Sequence, residues 1–164
     1  MKRQLLDRND LRIKMISIHK AIKEELNDIF RIEQLSFKPK DAFGIGQFKH
    51  FFNGKKRSSD LYVVLALNLV IGYFIIRYYE KSNRIYSIAV NPEFRQRGIA
   101  TLMLDKIHEL SVGKNIILEV RKDNKVAIDF YKKHGYKEEQ IIHNYYKDGM
   151  SAIKMRKVFD EIQG

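Results

Sequence analysis

Apolar positions along this chain switch between a period of two and a period near 3.6, and each switch marks an element. Residues 11–16 alternate and predict a first strand. Ile18, Ile22, Leu26, Ile29 and Phe30 recur at helical spacing and predict a helix to about Leu35, ended by residues 36–40 with Pro39. Residues 41–52 predict a weaker second helix, interrupted by Gly44 and Gly46. Two β-rich runs, 61–67 and 70–79, flank Asn68 and predict a hairpin. A further strand, 84–90, stops at Asn91-Pro92. Residues 98–112 carry Ile99, Leu102, Met103, Ile107 and Leu110 on one helical face, and Gly113 ends that helix. A strand at 115–120 follows. Asp123 or Asn124 then caps a helix running to His134, closed by Gly135. Two late strands, 136–143 and 151–159, surround Lys147-Asp148-Gly149. The predicted order is β-α-α-β-β-β-α-β-α-β-β, a mixed α/β sheet in one domain spanning residues 1–164.

Composition narrows the chemistry. The chain has 164 residues and no cysteine, which excludes disulfides, thiolate metal sites and cysteine nucleophiles. His19, His50, His108, His134 and His143 are scattered without a metal-binding spacing, so no metal is expected. The N-terminal residues carry charge without a long apolar run after them. The longest apolar stretch, 61–76, is broken by Asn68, Gly72 and Tyr73, so neither a signal peptide nor a membrane span is expected. A soluble, cytoplasmic protein is the expectation. The net charge of +11 calls for an anionic partner, such as a nucleotide cofactor, nucleic acid or an acidic surface. The excess is spread over both halves, with Lys55-Lys56-Arg57 the one tight cluster, which weakens the nucleic-acid and membrane readings.

One segment carries chemistry. Arg95-Gln96-Arg97-Gly98-Ile99-Ala100 follows a strand and opens a helix. Gly98 lets the backbone approach a ligand, the first helical turn offers unpaired N–H groups, and two arginines add charge. That is a cradle for a pyrophosphate; the same six residues also fit a capped helix with two surface arginines.

The neighbouring residues extend the pattern. Ser87-Ile88-Ala89-Val90-Asn91-Pro92 precedes the segment. Leu118-Glu119-Val120-Arg121, Asn124, Ala127, Phe130-Tyr131, Gly135-Tyr136, Asn144-Tyr145-Tyr146 and Asp148-Gly149 follow it. This train resembles the GCN5-related N-acetyltransferase (GNAT) superfamily, and within it the RimI and Ard1-like protein N-terminal acetyltransferases. The resemblance is strong over residues 84–157. Upstream, Glu33-x-x-Ser36-Phe37 is similar to a family segment that often continues with Pro-Trp, where this chain has Lys38-Pro39-Lys40 and no tryptophan.

The resemblance implies a mixed, mostly antiparallel sheet of about seven strands flanked by about four helices. It implies acetyl-CoA as cosubstrate and a peptide N-terminus, such as that of a ribosomal protein, as acceptor. Glu119 would be the base and Tyr131, with an ordinary pKa of about 10, the acid for the leaving thiolate. Alternation also allows Glu119 to face solvent, paired with Arg121 or Lys122. Ile88, Ala89 and Val90 would pair with the pantetheine arm, Arg95 to Ala100 and Thr101 would hold the pyrophosphate, and Asn124 would bind the arm or cap its helix. Phe37, Tyr145 and Tyr146 would meet the peptide. The competing expectations are an acetyltransferase for a small amine or a lysine side chain, and a binding module without transfer. Nucleic acid enters only as proximity to a ribosome.

Overall fold

The computed structural model describes residues 16–55 and 58–159. Seven strands form one sheet: β1 (Ile16–Lys20), β2 (Ser59–Ala66), β3 (Leu69–Tyr78), β4 (Ser82–Val90), β5 (Asn115–Arg121), β6 (Lys137–Ile142) and β7 (Ala152–Lys157). Their spatial order is β1-β2-β3-β4-β5-β7-β6, and each neighbouring pair is antiparallel except β4 with β5, which is parallel. Four α-helices, α1 (Leu26–Ser36), α2 (Ile45–Lys49), α3 (Ile99–Leu110) and α4 (Lys125–Lys133), enter in the order the periodicity predicts. Among the described residues no helix is long and apolar enough to cross a membrane.

Strands β2 and β3 are covered on both faces, which is why they read as almost continuous apolar runs. Leu61, Val63, Tyr73 and Ile75 pack with Leu26, Ile29 and Ile32 of α1 and Phe48 of α2. The alternate side chains Tyr62, Val64, Phe74 and Ile76 join Met103, Leu104 and Ile107 of α3 and Ile128 of α4. Gly72 sits where a side chain would crowd the sheet, since a Cβ there would stand 3.0 Å from the Ala89 carbonyl oxygen.

The N-terminal segment departs from expectation. Apart from Ile16, the expected strand 11–16 lies outside the described residues, and the strand that forms is Ile16–Lys20. Ile18, expected on a helix, lies in that strand opposite Val64. The α-helix begins only at Leu26 because Glu25 closes a turn first. Its carboxylate accepts from the Ile22 backbone N–H at 2.9 Å and lies 2.9 Å from His19 Nε2. The helical spacing of Ile18 and Ile22 is thus a strand running into a turn. The second expected helix shrinks to five residues and a 3-10 turn, His50–Phe52.

The feature that positions the site is a break in the sheet. Strands β4 and β5 pair only from Ser82 with Asn115 to Ile85 with Leu118. Both continue, β4 to Val90 and β5 to Arg121, so a gap opens between them. At its start Tyr86 is an extra residue opposite β3, where Ile75 pairs with Ser87 and Ile76 with Ile85. Such a bulge bends a strand away from its neighbour.

Candidate active site

One wall of the gap is backbone. Asn91 N–H donates to the Ile71 carbonyl at 2.8 Å. Bonding residues alternate in an antiparallel pair, so Ser87 and Ala89 bond β3 while the N–H and C=O groups of Ile88 and Val90 face the gap. In keeping with this, the Val90 carbonyl accepts from Arg95 Nε at 3.2 Å. After β4 comes a 3-10 turn, Pro92–Phe94, capped by Asn91 Oδ1 on the Glu93 N–H at 3.0 Å. Gln96 at φ 59° and Gly98 at φ 79° then turn the chain into α3. Gly98 is the N-cap and supplies no side chain to bond the helix end. The N–H groups of Ile99, Ala100 and Thr101 therefore have no intrahelical partner. No atom lies within 4 Å of where a Gly98 Cβ would stand. Unpaired donors, the positive end of a helix dipole and open space together suit a phosphate group.

The arginine side chains of this loop point elsewhere. Arg95 Nη2 donates to Ser36 Oγ of α1 at 3.3 Å. Arg97 lies over the Phe94 ring, 5.3 Å from its centroid, and its buried Nη1 has no hydrogen-bond partner. The loop thus presents backbone N–H groups at the start of α3, with Arg95 resting on Ser36 and Arg97 on Phe94.

The other wall is built from side chains. On β5, Leu118 and Val120 are buried in the core beneath α3 and α4, which puts Glu119 and Arg121 on the opposite face. Glu119 is paired, though not with the sequence neighbours its alternation allowed. Arg84 Nε of β4 donates to its Oε2 at 2.8 Å, with side-chain exposures of 20% and 14%. Arg84 Nη2 also donates to the Tyr145 hydroxyl at 3.2 Å, and its guanidinium lies 5.2 Å from the centroid of Tyr86. Tyr86 in turn stacks on Phe43, with centroids 5.4 Å apart.

On the core side of the sheet, in the cluster that holds Leu118 and Val120, Tyr131 of α4 is buried between Phe130 and Tyr136. Its hydroxyl makes no hydrogen bond among the described residues. Burial pushes its pKa up, so it keeps its proton at neutral pH. Asn124 caps α4, with Oδ1 accepting from the Ala127 N–H at 3.1 Å. Thr101 Oγ1 lies 3.4 Å from His134 Nε2.

Two loops frame the gap. The first follows α1, which ends at Phe37 in extended backbone, half-buried against α1 and α2. Glu33, only 1% exposed, anchors this loop from below. Its Oε1 accepts from the Phe43 N–H at 2.7 Å and its Oε2 from the Tyr73 hydroxyl, which lies 3.1 Å from Ser87 Oγ. Loss of water on burial raises the Glu33 pKa to about 7, against the opposing pull of the Phe43 N–H. The second loop joins β6 to β7 and carries Tyr145 and Tyr146, packed edge to face. Arg121 touches both loops: Nη1 reaches Asp41 at 2.8 Å and Nη2 reaches Asp148 at 2.6 Å.

The structure thus brings Glu119, Tyr145 and Tyr146 together through two arginines. Arg84, Asp41, Tyr73 and Tyr86 carry no local sequence signal for these roles. Asp148 and Glu33 stand in recognised segments, but their partners lie 27 and 40 residues away.

A profile of the acetyltransferase (GNAT) family matches residues 20–136. An N-alpha-acetyltransferase of Sulfurisphaera tokodaii is 38% identical over 79 residues, which are 46% of this chain and 47% of that relative. The match therefore spans about half the length of that relative. An N-alpha-acetyltransferase of Saccharolobus solfataricus is 27% identical over 161 residues, covering 86% of this chain and 92% of the relative. The crystal structure of Ard1 from Thermoplasma volcanium superposes with a TM-score of 0.78 at 25% identity, covering 90% of this chain and 99% of that one. With the split β4–β5 pair and the uncapped α3 N-terminus in the same span, this chain belongs to the acetyltransferase (GNAT) family.

Proposed function

We propose that the protein transfers the acetyl group of acetyl-CoA to the α-amino group of a peptide or protein N-terminus, a ribosomal protein being one acceptor of that kind. The observation that carries this reading is the half-buried Glu119 carboxylate at the opening of the β4–β5 gap, held by Arg84 beside Tyr145. Bound acetyl-CoA supplies the activated acyl group. The outward-facing N–H and C=O groups of Ile88 and Val90, with Ala89 between them, take the pantetheine amides as a strand would. The loop Arg95, Gln96, Arg97 and Gly98, with the N–H groups of Ile99, Ala100 and Thr101, holds the pyrophosphate.

In the reaction the amine nitrogen bonds the acyl carbon and the carbon–sulfur bond breaks. The amine must lose a proton and the departing thiolate must gain one. Glu119 accepts the amine proton, directly or through a water, with Arg84 fixing its orientation. The Val90 N–H, which faces the gap, would supply the hydrogen bond that stabilises charge gathering on the acyl oxygen. Tyr131 donates to the thiolate, and Asn124 holds the start of its helix. Tyr145 and Tyr146 cover the peptide backbone, and Phe37 lines the place of the first side chain. A polyamine acceptor is disfavoured because a chain of charge +11 repels polycations on approach.

Release of free thiol from acetyl-CoA tests this reading, using peptides varied in their first two residues beside a set of small amines. Transfer to peptides that Glu119→Gln abolishes is the expected result. Turnover confined to small amines would replace the peptide reading, and acetyl-CoA binding without any transfer would favour a binding module.

A further inference from the structure

We infer that Arg121 is a positioning residue that ties the α1–α2 loop to the β6–β7 loop and so sets the width of the opening through which the acceptor reaches Glu119. The inference rests on the peptide reading above for its kinetic consequence.

A single guanidinium spans three carboxylates. Nη1 donates to Asp41 at 2.8 Å, Nη2 to Asp148 at 2.6 Å and Nε to Asp123 at 3.1 Å. Asp41 lies 80 residues before Arg121 and Asp148 lies 27 after it, so the contacts join segments with no local reason to meet. The Arg121 and Asp41 side chains are only 13% and 12% exposed, which makes their pair costly to open. The flat face of the guanidinium lies over the Tyr146 ring, 4.8 Å from its centroid. A lysine has neither the fork nor the flat face, so it cannot hold both loops at once. The Arg121 guanidinium, with the Met150 N–H, holds the Asp148 carboxyl down at about 2, so the tie stays charged across the working pH range.

The tie reaches the reacting end by a short path. Tyr146 packs on Tyr145 at 5.0 Å, and Tyr145 accepts from Arg84, the partner of Glu119. Release of Arg121 frees both loops and widens the space for the acceptor. Among the described residues no hydrogen bond or ion pair joins Arg121 to β4 or to the start of α3, so acetyl-CoA binding is expected to stay unchanged.

Two measurements on Arg121→Lys, Arg121→Gln, Asp41→Asn and Asp148→Asn test this. Hydrogen exchange needs no substrate. In either Arg121 variant the amides of Ala42 and Phe43 in one loop and of Tyr146 and Gly149 in the other exchange faster together, while those of β3 do not. Acceleration of one loop alone, or of neither, overturns the tie. In steady-state kinetics with a peptide acceptor, the KM for peptide rises about tenfold or more with the KM for acetyl-CoA unchanged. Asp41→Asn and Asp148→Asn then add nothing in the Arg121→Gln background. Additive effects, or an unchanged peptide KM beside lowered thermal stability, contradict the positioning role. If the wild type acetylates no peptide, the functional reading falls, while the exchange result still decides whether Arg121 couples the loops.

Discussion

The two walls of the gap are made in opposite ways. On the β4 side the donors are main-chain groups: Ile88 and Val90 where strand pairing has stopped, and Ile99, Ala100 and Thr101 where a glycine leaves a helix uncapped. On the β5 side the groups are side chains tied to distant segments, with Glu119 held by Arg84 from the paired start of β4 and Arg121 holding Asp41 and Asp148. A backbone wall can bind the same ligand in many relatives, because its donors do not depend on residue identity. A side-chain wall can change with a few substitutions. The proposed function places cofactor binding on the first wall, and acceptor choice and amine deprotonation on the second.

Perturbing each wall separately sharpens that division. Glu119→Gln carries the largest expected effect, a fall in turnover of about 10²–10⁴-fold, the usual contribution of a general base, with acetyl-CoA affinity unchanged in calorimetric titration. A matching loss of affinity would mean that the walls are not separate.

Glu33 comes next. Its folded pKa of about 7 lies above the ordinary carboxyl value of 4.5, so folding favours the protonated form. The favourable contribution is complete below about 4.5 and is lost as pH rises through about 7, an effect of up to about 3 kcal/mol. Denaturant unfolding of the wild type therefore shows stability declining over that window relative to Glu33→Gln; parallel curves for the two proteins would contradict the assignment.

Gly98→Val should weaken acetyl-CoA binding by about tenfold or more, since a β-branched residue is strained at a φ of 79°. Equal affinity for the two proteins would remove the loop from the cofactor site. The smallest effect is that of Asn124→Ala, a loss of about 1 kcal/mol in unfolding free energy from the missing helix cap. A drop in acetyl-CoA affinity beyond that would give Asn124 a direct role in holding the pantetheine arm.

The same contrast explains what the sequence disclosed. Strands β2 to β5 and helices α3 and α4 were legible because their periods, glycines and turns are local properties. The Gly98 turn was legible for the same reason: its glycine, the bend before it and the helix after it are contiguous. The helix was misplaced at its start because Ile18 and Ile22 share a helical spacing by chance, and a contact from Glu25 to the Ile22 N–H set the real boundary. Arg84 as partner of Glu119 was hidden because it comes from a strand 35 residues away. Arg121 was visible only as a neighbour of Glu119, whereas its carboxylates lie in two loops that the sheet brings together. The sequence shows Arg95 and Arg97 only as two cations beside a helix start; that Arg95 bonds Ser36 and Arg97 covers Phe94 depends on segments the fold brings close.

The most direct test of acetyl transfer to a peptide N-terminus is the position of the acetyl group on the product. A peptide with a free α-amine and an internal lysine is incubated with acetyl-CoA beside the same peptide with a blocked N-terminus, and both are sequenced by tandem mass spectrometry. The account predicts acetyl on the α-nitrogen of the free peptide and none on the blocked one. Acetyl-lysine in the blocked peptide, with the free α-amine left unmodified, would contradict it.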